Sequence, residues 1–410
     1  MNRIIIDTPE IKKNTILYHY KVSGDWEEAF TEDIFSIEYS ADISSLPLGI
    51  AIVPLMCNIL PIAWVYDAEI VAPVCDKDFY ESISDLKKGY IEMYPMIHFG
   101  GNLNIQRIEE NRSVNTSGSL AFFSGGVDAF STLIHHREEH PELITLWGSD
   151  VFFDDEIGWN KVKKHIEETS SIFDVNYIVV KSGFRRFLNE GILGQKVRIS
   201  GDGWWHGFQH GIGLIGHAAP LAYMLKKNTV YIASSFTIAE KDIVTCASDP
   251  FIDNHIRFCG AQVIHDGYEL SRQDKIHNIT VFSEETRIPV SLRVCWESRG
   301  GGNCCNCEKC WRTILGILAE GCDPHDYGFQ YNREMLNELS KKMRYYPYDS
   351  VLKTWYSPIQ TAMRKNLKKE DLPKEIRWFY EADTSRLGAQ PLWKKAEKKI
   401  VRIVKKLKKH

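Results

Sequence analysis

The chain has 410 residues, 44% of them hydrophobic and 12% aromatic, which is enough apolar material for a large core in two or three domains and excludes disorder in bulk. Its formal net charge is −4, but the tail from Leu392 to His410 holds nine Lys or Arg against the single Glu397 (9 − 1 = +8), so the remainder stands near −4 − 8 = −12. An acidic body lacks the long basic stripe that phosphate backbones select, so nucleic acid is not expected as a partner.

The first residues, MNRIIIDTPEIKKN, contain no apolar stretch of signal-peptide length. The expected location is therefore cytoplasmic, with the ten cysteines reduced and disulfides the less expected use for them. Residues 1–115 mix strand-like runs (TILYHYKV, IFSIEYSA, AEIVAPV, LNIQRIEE) with one helix, DFYESISDLKKGYIEM, and read as an N-terminal α+β accessory domain. Within it, Ile43 to Tyr66 carries no charge, long enough on length alone for a membrane span. Pro47, Pro54 and Pro61 each remove a backbone donor, which points instead to a buried, broken segment of a soluble domain. The polar stretch ENRSVNTSGS then marks a domain boundary.

Residues 118–325 change texture. LAFF, LITLWG, YIVVKS and VYIASS alternate with helical segments, the pattern of right-handed crossovers and a doubly wound parallel sheet in an α/β domain. Such sheets bind ligands beyond the carboxyl ends of their strands, where strand order reverses. Residues 326–410 read as a helical extension, with EMLNELSKKM and SPIQTAMRKN as its clearest pieces. In the tail, Trp393, Ala396, Ile400, Ile403 and Leu407 recur at helical spacing opposite lysines. Two readings stand for this basic amphipathic helix: packing on its own domain, or peripheral contact with an anionic membrane surface or partner.

Two motifs carry chemistry. The first, AFFSGGVDAFST at residues 121–132, ends a strand in Ser124-Gly125-Gly126 and opens a helix at Val127. Glycines leave the backbone N–H groups of a helix start open to an anion, Ser124 adds a hydroxyl, and Asp128 can hold the metal ion that accompanies phosphates. Taken alone, the string is better explained as a tight turn with a Ser cap, because short glycine motifs recur by chance. The second is RVCWESRGGGNCCNCEKCWRT, in which Cys295, Cys304, Cys307 and Cys310 are separated by eight, two and two residues. Four thiolates at that spacing suit a closed, structural zinc site, with Cys305 read as a spare, its replacement of Cys304 as the alternative, and an iron-sulfur cluster as the competing occupant.

Together the two motifs resemble the 7-cyano-7-deazaguanine synthase branch of the ATP pyrophosphatase (PP-loop) superfamily, over about residues 118–322. The cysteine spacing, with Arg312 two residues beyond the last Cys, is similar to that family's zinc loop. Ser271-Arg272 and Lys275-Ile276 resemble the segment before it, and Ser248-Asp249-Pro250 with Asp253 stand where the family carries a substrate loop. In the family's pyrophosphate loop the Asp is usually followed by Ser or Thr; here that position is Ala129, with Ser131 and Thr132 one turn on.

The resemblance implies an ATP-dependent carbon-nitrogen ligase. It would adenylate a carboxylate, release pyrophosphate and AMP, and pass the acyl group to ammonia or an amine. ATP, Mg²⁺ and Zn²⁺ are the implied cofactors and a homodimer the implied assembly. Ser124, Asp128 and Lys275 are the implied catalytic residues, and Phe123, Ser124, Gly125, Gly126, Val127, Asp128 and Ser131 the implied nucleotide cradle. His206 and His210 lie four apart in WHGFQHGIGLIGHAAP, and His210 is read as lining the cleft, with ordinary helix packing as the standing alternative. Trp147 to Asp150 follow the second strand, where the base is expected. Two rivals stand beside the ligase: a PP-loop sulfurtransferase acting on tRNA, and a non-catalytic ATP-binding module that Ala129 favours.

Overall fold

The computed structural model describes residues 2–112, 114–241, 243–295 and 301–388. The basic tail beyond Leu392 lies outside the described residues. Two compact units divide the chain, residues 1–302 and 303–410.

The first unit is built on one large mixed sheet. Its early strands are β1 (Arg3–Ile6), β2 (Glu10–Lys12), β3 (Thr15–Ser23), β4 (Ile34–Tyr39), β5 (Glu69–Ala72), β6 (Cys75–Asp76), β7 (Asn102–Ile105) and β8 (Ile108–Glu109). The later ones are β9 (Ser119–Phe122), β10 (Glu142–Trp147), β11 (Tyr177–Ser182), β12 (Thr229–Ala233), β13 (Arg257–Phe258) and β14 (Ala261–Asp266). Twelve strands join in the order β13-β14-β12-β9-β10-β11-β4-β3-β1-β5-β7, with β2 on β3; β6 and β8 pair separately. From β14 to β11 the neighbours are parallel, and strand order reverses at β9, which lies between β12 and β10. Helices Val127–His135 and Glu156–Phe173 carry the chain from β9 to β10 and from β10 to β11.

The loop expected to bound a domain near residue 115 lies inside this unit. Beyond β11 the sheet continues into the N-terminal residues, because β4 pairs antiparallel with it through Val180↔Tyr39, Lys181↔Glu38 and Ser182↔Ile37. An unpaired strand edge is a row of unsatisfied donors and acceptors, and β4 removes that edge from β11. Alternation explains the pairing face: Ile16, Tyr18 and Tyr20 of β3 are buried, as are Phe35, Ile37 and Tyr39 of β4.

The uncharged segment folds as helices Leu48–Ala51 and Val53–Val65, with Pro54 in the first turn of the second and Pro61 inside it. Every residue of Val53–Val65 is buried. Among the described residues no helix is long and apolar enough to cross a membrane. Asn58 is polar in this apolar setting, and it is satisfied: its amide donates to the carbonyl of Pro54 at 2.9 Å and its Oδ1 accepts from Gln209 Nε2 at 2.9 Å.

The second unit is helical. Helices Glu308–Ala319, Arg333–Arg344 and Ser350–Asn366 enclose Trp311, Leu339, Met343, Tyr356 and Met363, with Phe379 from a short following helix.

Candidate functional site

β9 stops at Phe122, and Phe123 buries its ring edge-on against Phe130, 5.0 Å between centroids, which fixes the strand to the helix that follows. Between them Gly125 adopts φ +78°, in the left-handed region. A side chain there would lie 2.6 Å from His165 Nε2. The Ser124 and Gly125 carbonyls are held from behind by Arg293, whose Nε donates to the first at 3.1 Å and whose backbone N–H donates to the second at 2.7 Å. Gly126 caps helix Val127–His135 in extended conformation, and no side chain caps the helix start. Its first N–H groups have no intrahelical acceptor.

Asp128, in the first turn, meets two cations from helix Arg272–Thr286. Arg272 Nη1 lies 3.0 Å from Oδ2 and Lys275 Nζ 3.5 Å from Oδ1. All three side chains are largely buried, at 15% exposure for Asp128, 9% for Arg272 and 2% for Lys275. Lys275 also donates to the Ser234 carbonyl at the end of β12. Helix Arg272–Thr286 begins with a capping box at Ser271 and Asp274, which fixes the turn that presents both cations. The structure thus brings Asp128 and Lys275 together, and places Ser124, Gly125, Gly126 and Val127 on one loop. Ser131 is buried within the helix.

His206 and His210 do not share surroundings. A π-helical turn, Trp205–Gln209, carries His206 to Asp202 at 2.8 Å, while His210 packs edge-on against Trp205 with 4.9 Å between ring centroids. Trp147 ends β10 between Trp159, stacked at 5.1 Å, and Lys181 Nζ, 3.8 Å from its ring centroid. In the expected substrate loop, Asp253 is fully buried and pairs with His265 at 2.8 Å and Ser248 Oγ at 2.9 Å, and burial raises its carboxyl above the usual range.

Two residues at the glycine turn were not legible in the sequence. His165 sits a full crossover helix away from the loop, and Arg293 lies in an irregular segment. Burial, with the nearby Arg293 charge, pushes the His165 imidazole down to about 4, so it is neutral at physiological pH, and its buried Nε2 has no hydrogen-bond partner among the described residues. It packs against the turn through shape.

The cysteine group is the second centre. The sulfurs of Cys295, Cys304, Cys307 and Cys310 all lie within 4.8 Å of one another. A tetrahedron with Zn–S bonds of about 2.3 Å has sulfurs about 3.8 Å apart, and the Cys304–Cys310 separation is 3.9 Å. Cys307 caps helix Glu308–Ala319, its sulfur accepting from the Cys310 N–H at 3.4 Å, and the Asn306 N–H donates to Cys304 Sγ at 3.4 Å. Such N–H donors favour thiolate over thiol. Cys305 stands outside the group, at φ 50° with its sulfur near the Asn303 carbonyl. A buried four-cysteine group that could hold zinc is therefore present, with the membership read from the spacing.

Comparison with known proteins identifies no relative: no family description, curated protein or solved structure matches this chain.

Proposed function

We propose that the protein is an ATP-dependent ligase of the PP-loop type, which activates a carboxylate with release of pyrophosphate and AMP and transfers the acyl group to ammonia or an amine. The observation that carries this reading is the position of the glycine turn: it follows the strand at which the order of the parallel strands reverses, the place where doubly wound sheets bind ligands. The turn fits a phosphate group. Among the described residues, a side chain on Gly126 would meet only Ser124 Oγ at 3.4 Å and the Arg293 carbonyl at 3.8 Å, so the backbone is open to close approach at a helix start.

ATP supplies the leaving group that a carboxylate lacks. In this reading the backbone of Ser124 to Val127 binds phosphate oxygens, and Arg293 keeps the turn in shape by occupying its carbonyls. Lys275 and Arg272 offset the charge that accumulates on departing pyrophosphate. Asp128 serves the magnesium ion only by yielding one of its two ion pairs. The four-cysteine group is read as a structural zinc site that anchors helix Glu308–Ala319.

That engagement of Asp128, together with Ala129, supports one second reading, a module that binds ATP without turning it over. The test is a product analysis with ATP, Mg²⁺, ammonium and candidate acids, beginning with 7-carboxy-7-deazaguanine. AMP and pyrophosphate formed in step with loss of the acid are expected. ATP binding without AMP under every acid would sink the ligase and leave the binding module.

A further inference from the structure

A second constellation lies at the far end of helix Val127–His135, whose start forms the glycine turn. Inside a helix adjacent side chains diverge by about 100°. Here the helix ends between two histidines: His136 leaves it at φ −101° and ψ 16°, and its ring stacks on that of His135 with 4.6 Å between centroids. The His136 ring also stacks on Tyr231 of β12, at 3.8 Å. Asp266, the last residue of β14, brings Oδ1 to 3.0 Å from His136 Nε2. One ligand atom from each of His135, His136 and Asp266 lies within 4.8 Å of the other two. Apart from the four cysteines, no other group of three or more His, Cys, Asp or Glu among the described residues is so placed.

Both inner groups are held from behind. The 3₁₀ turn Arg137–Glu139 returns Glu139 to His136 Nδ1, at 2.8 Å, and Glu139 is itself fixed by Ser119 Oγ at 2.9 Å and Tyr231 Oη at 3.1 Å. Glu139 keeps a proton on Nδ1, which leaves Nε2 as the nitrogen that can bond a metal. Thr132 Oγ1 donates to Asp266 Oδ2 at 2.7 Å, so Oδ1 is the oxygen turned to His136 and Thr132 is committed here, away from the phosphate turn. A carboxylate behind an imidazole and a hydroxyl behind a carboxylate are the outer partners that orient metal ligands and set the histidine tautomer. The carbonyl end of the helix adds negative partial charge. Zinc bonds of about 2.0–2.1 Å to nitrogen and oxygen hold those atoms about 3.4 Å apart, so the pair needs only a slight opening to admit the ion. Two imidazoles with one carboxylate suit zinc, cobalt or nickel; magnesium takes oxygen ligands.

We propose that His135, His136 and Asp266 form a second metal site, which takes zinc or a similar divalent transition ion and leaves its fourth position to water. The ion replaces the proton shared between Nε2 and Oδ1. With three ligands, one of them the exposed His135, the site holds its ion less tightly than the four-thiolate group and fills when metal is added. It stands eight residues along the helix from Val127, about 12 Å, and does not depend on the ligase reading.

Calorimetric titration of zinc into the untagged full chain, its four-cysteine group already loaded and excess Mg²⁺ present, tests the site. One further zinc per chain should bind. Loss of an outer partner alone costs about 10–100-fold in metal affinity, so His135→Ala, which removes a ligand, should weaken that binding by at least about tenfold. Asp266→Asn should weaken it by as much, but Asp266 also holds His136 and Thr132, so the exposed His135 is the deciding variant because its loss leaves those bonds in place. No zinc beyond the four-cysteine complement overturns the site. Zinc binding that is unchanged in His135→Ala is adventitious and overturns it equally. Displacement of the further zinc by Mg²⁺ overturns the assigned class of ion.

Discussion

At the scale of single residues, Asp128 is the most exacting position. It offsets two largely buried cations, so Asp128→Asn should do more than stop pyrophosphate release: removing one partner of a buried pair costs about 3 kcal/mol. A chemical-denaturation curve run beside the pyrophosphate assay checks this, and an unchanged midpoint would show that the pairs contribute little. Gly125→Ala meets two obstacles, the left-handed backbone and His165, and should weaken ATP binding by at least about tenfold while costing about 1–3 kcal/mol of stability. Trimming His165 as well should recover part of that stability and none of the backbone strain; a Gly125→Ala protein with native ATP affinity would remove the turn from the site. The glycine pair and Asp128 were legible in the sequence because their meaning is local. The resemblance singles out Arg272 and Lys275 as well, but not their pairing with Asp128: they are about 145 residues away, and nothing in a run of sequence states which charges will meet.

Three histidines set opposite pH limits. His217 is buried and His165 partly so, with its Nε2 covered; both are pushed down to about 4, and His217 Nε2 lies against Ser182 Oγ at 2.7 Å. Their stabilising contribution is complete above the ordinary value of 6.5 and is lost as pH falls from there through about 4. His206 is raised to about 10 by its bond to Asp202 and then by Cys246; its contribution is complete below 6.5 and is lost as pH rises through about 10. Thermal melts should therefore peak near pH 6.5 to 7, and His206→Gln should flatten the alkaline side alone. An alkaline decline that survives in that variant would assign it to other groups.

Among the elements, the four-cysteine turn is the most fully readable, since the ligand spacing and the spare cysteine lie within sixteen residues of sequence, Cys295 to Cys310, and the next helix starts at Glu308 among them. About one zinc per chain is expected from metal analysis, lost on Cys307→Ser and kept on Cys305→Ser. Iron, or zinc loss in the Cys305 variant, would overturn that membership. The strands β9, β10, β11 and β12 fall on the four apolar runs that predict them, because short buried strands bounded by turns need only local signals. The helical segment between β11 and β12 includes a π turn, Trp205–Gln209, and two short helices, His210–Ile215 and Ala218–Met224, Gln209 and His217 having hydrogen-bond partners inside the core. A period of 3.6 cannot announce such partners.

For the first unit taken whole, the division expected at residue 115 is replaced by one sheet. Alternation in β3 and β4 tells which side chains face inward but not which strand will lie alongside, and β4 finds its neighbour in β11, with Tyr39 opposite Val180. Removing residues 1–115 should therefore leave an insoluble remainder with an open strand edge, and supplying that fragment on a separate chain should restore solubility; a soluble, ATP-binding remainder would show the sheet to be separable.

The same pairing has a consequence on the ribosome. β4 leaves the exit tunnel some 141 residues before its partner (180 − 39), and at about 5–20 residues per second the nascent chain waits roughly 7–28 s with the uncharged helix Val53–Val65 already made and its sheet incomplete. Over that interval the newborn chain is a natural client for holding chaperones, and its yield in cells should follow their supply more closely than the stability of the finished fold.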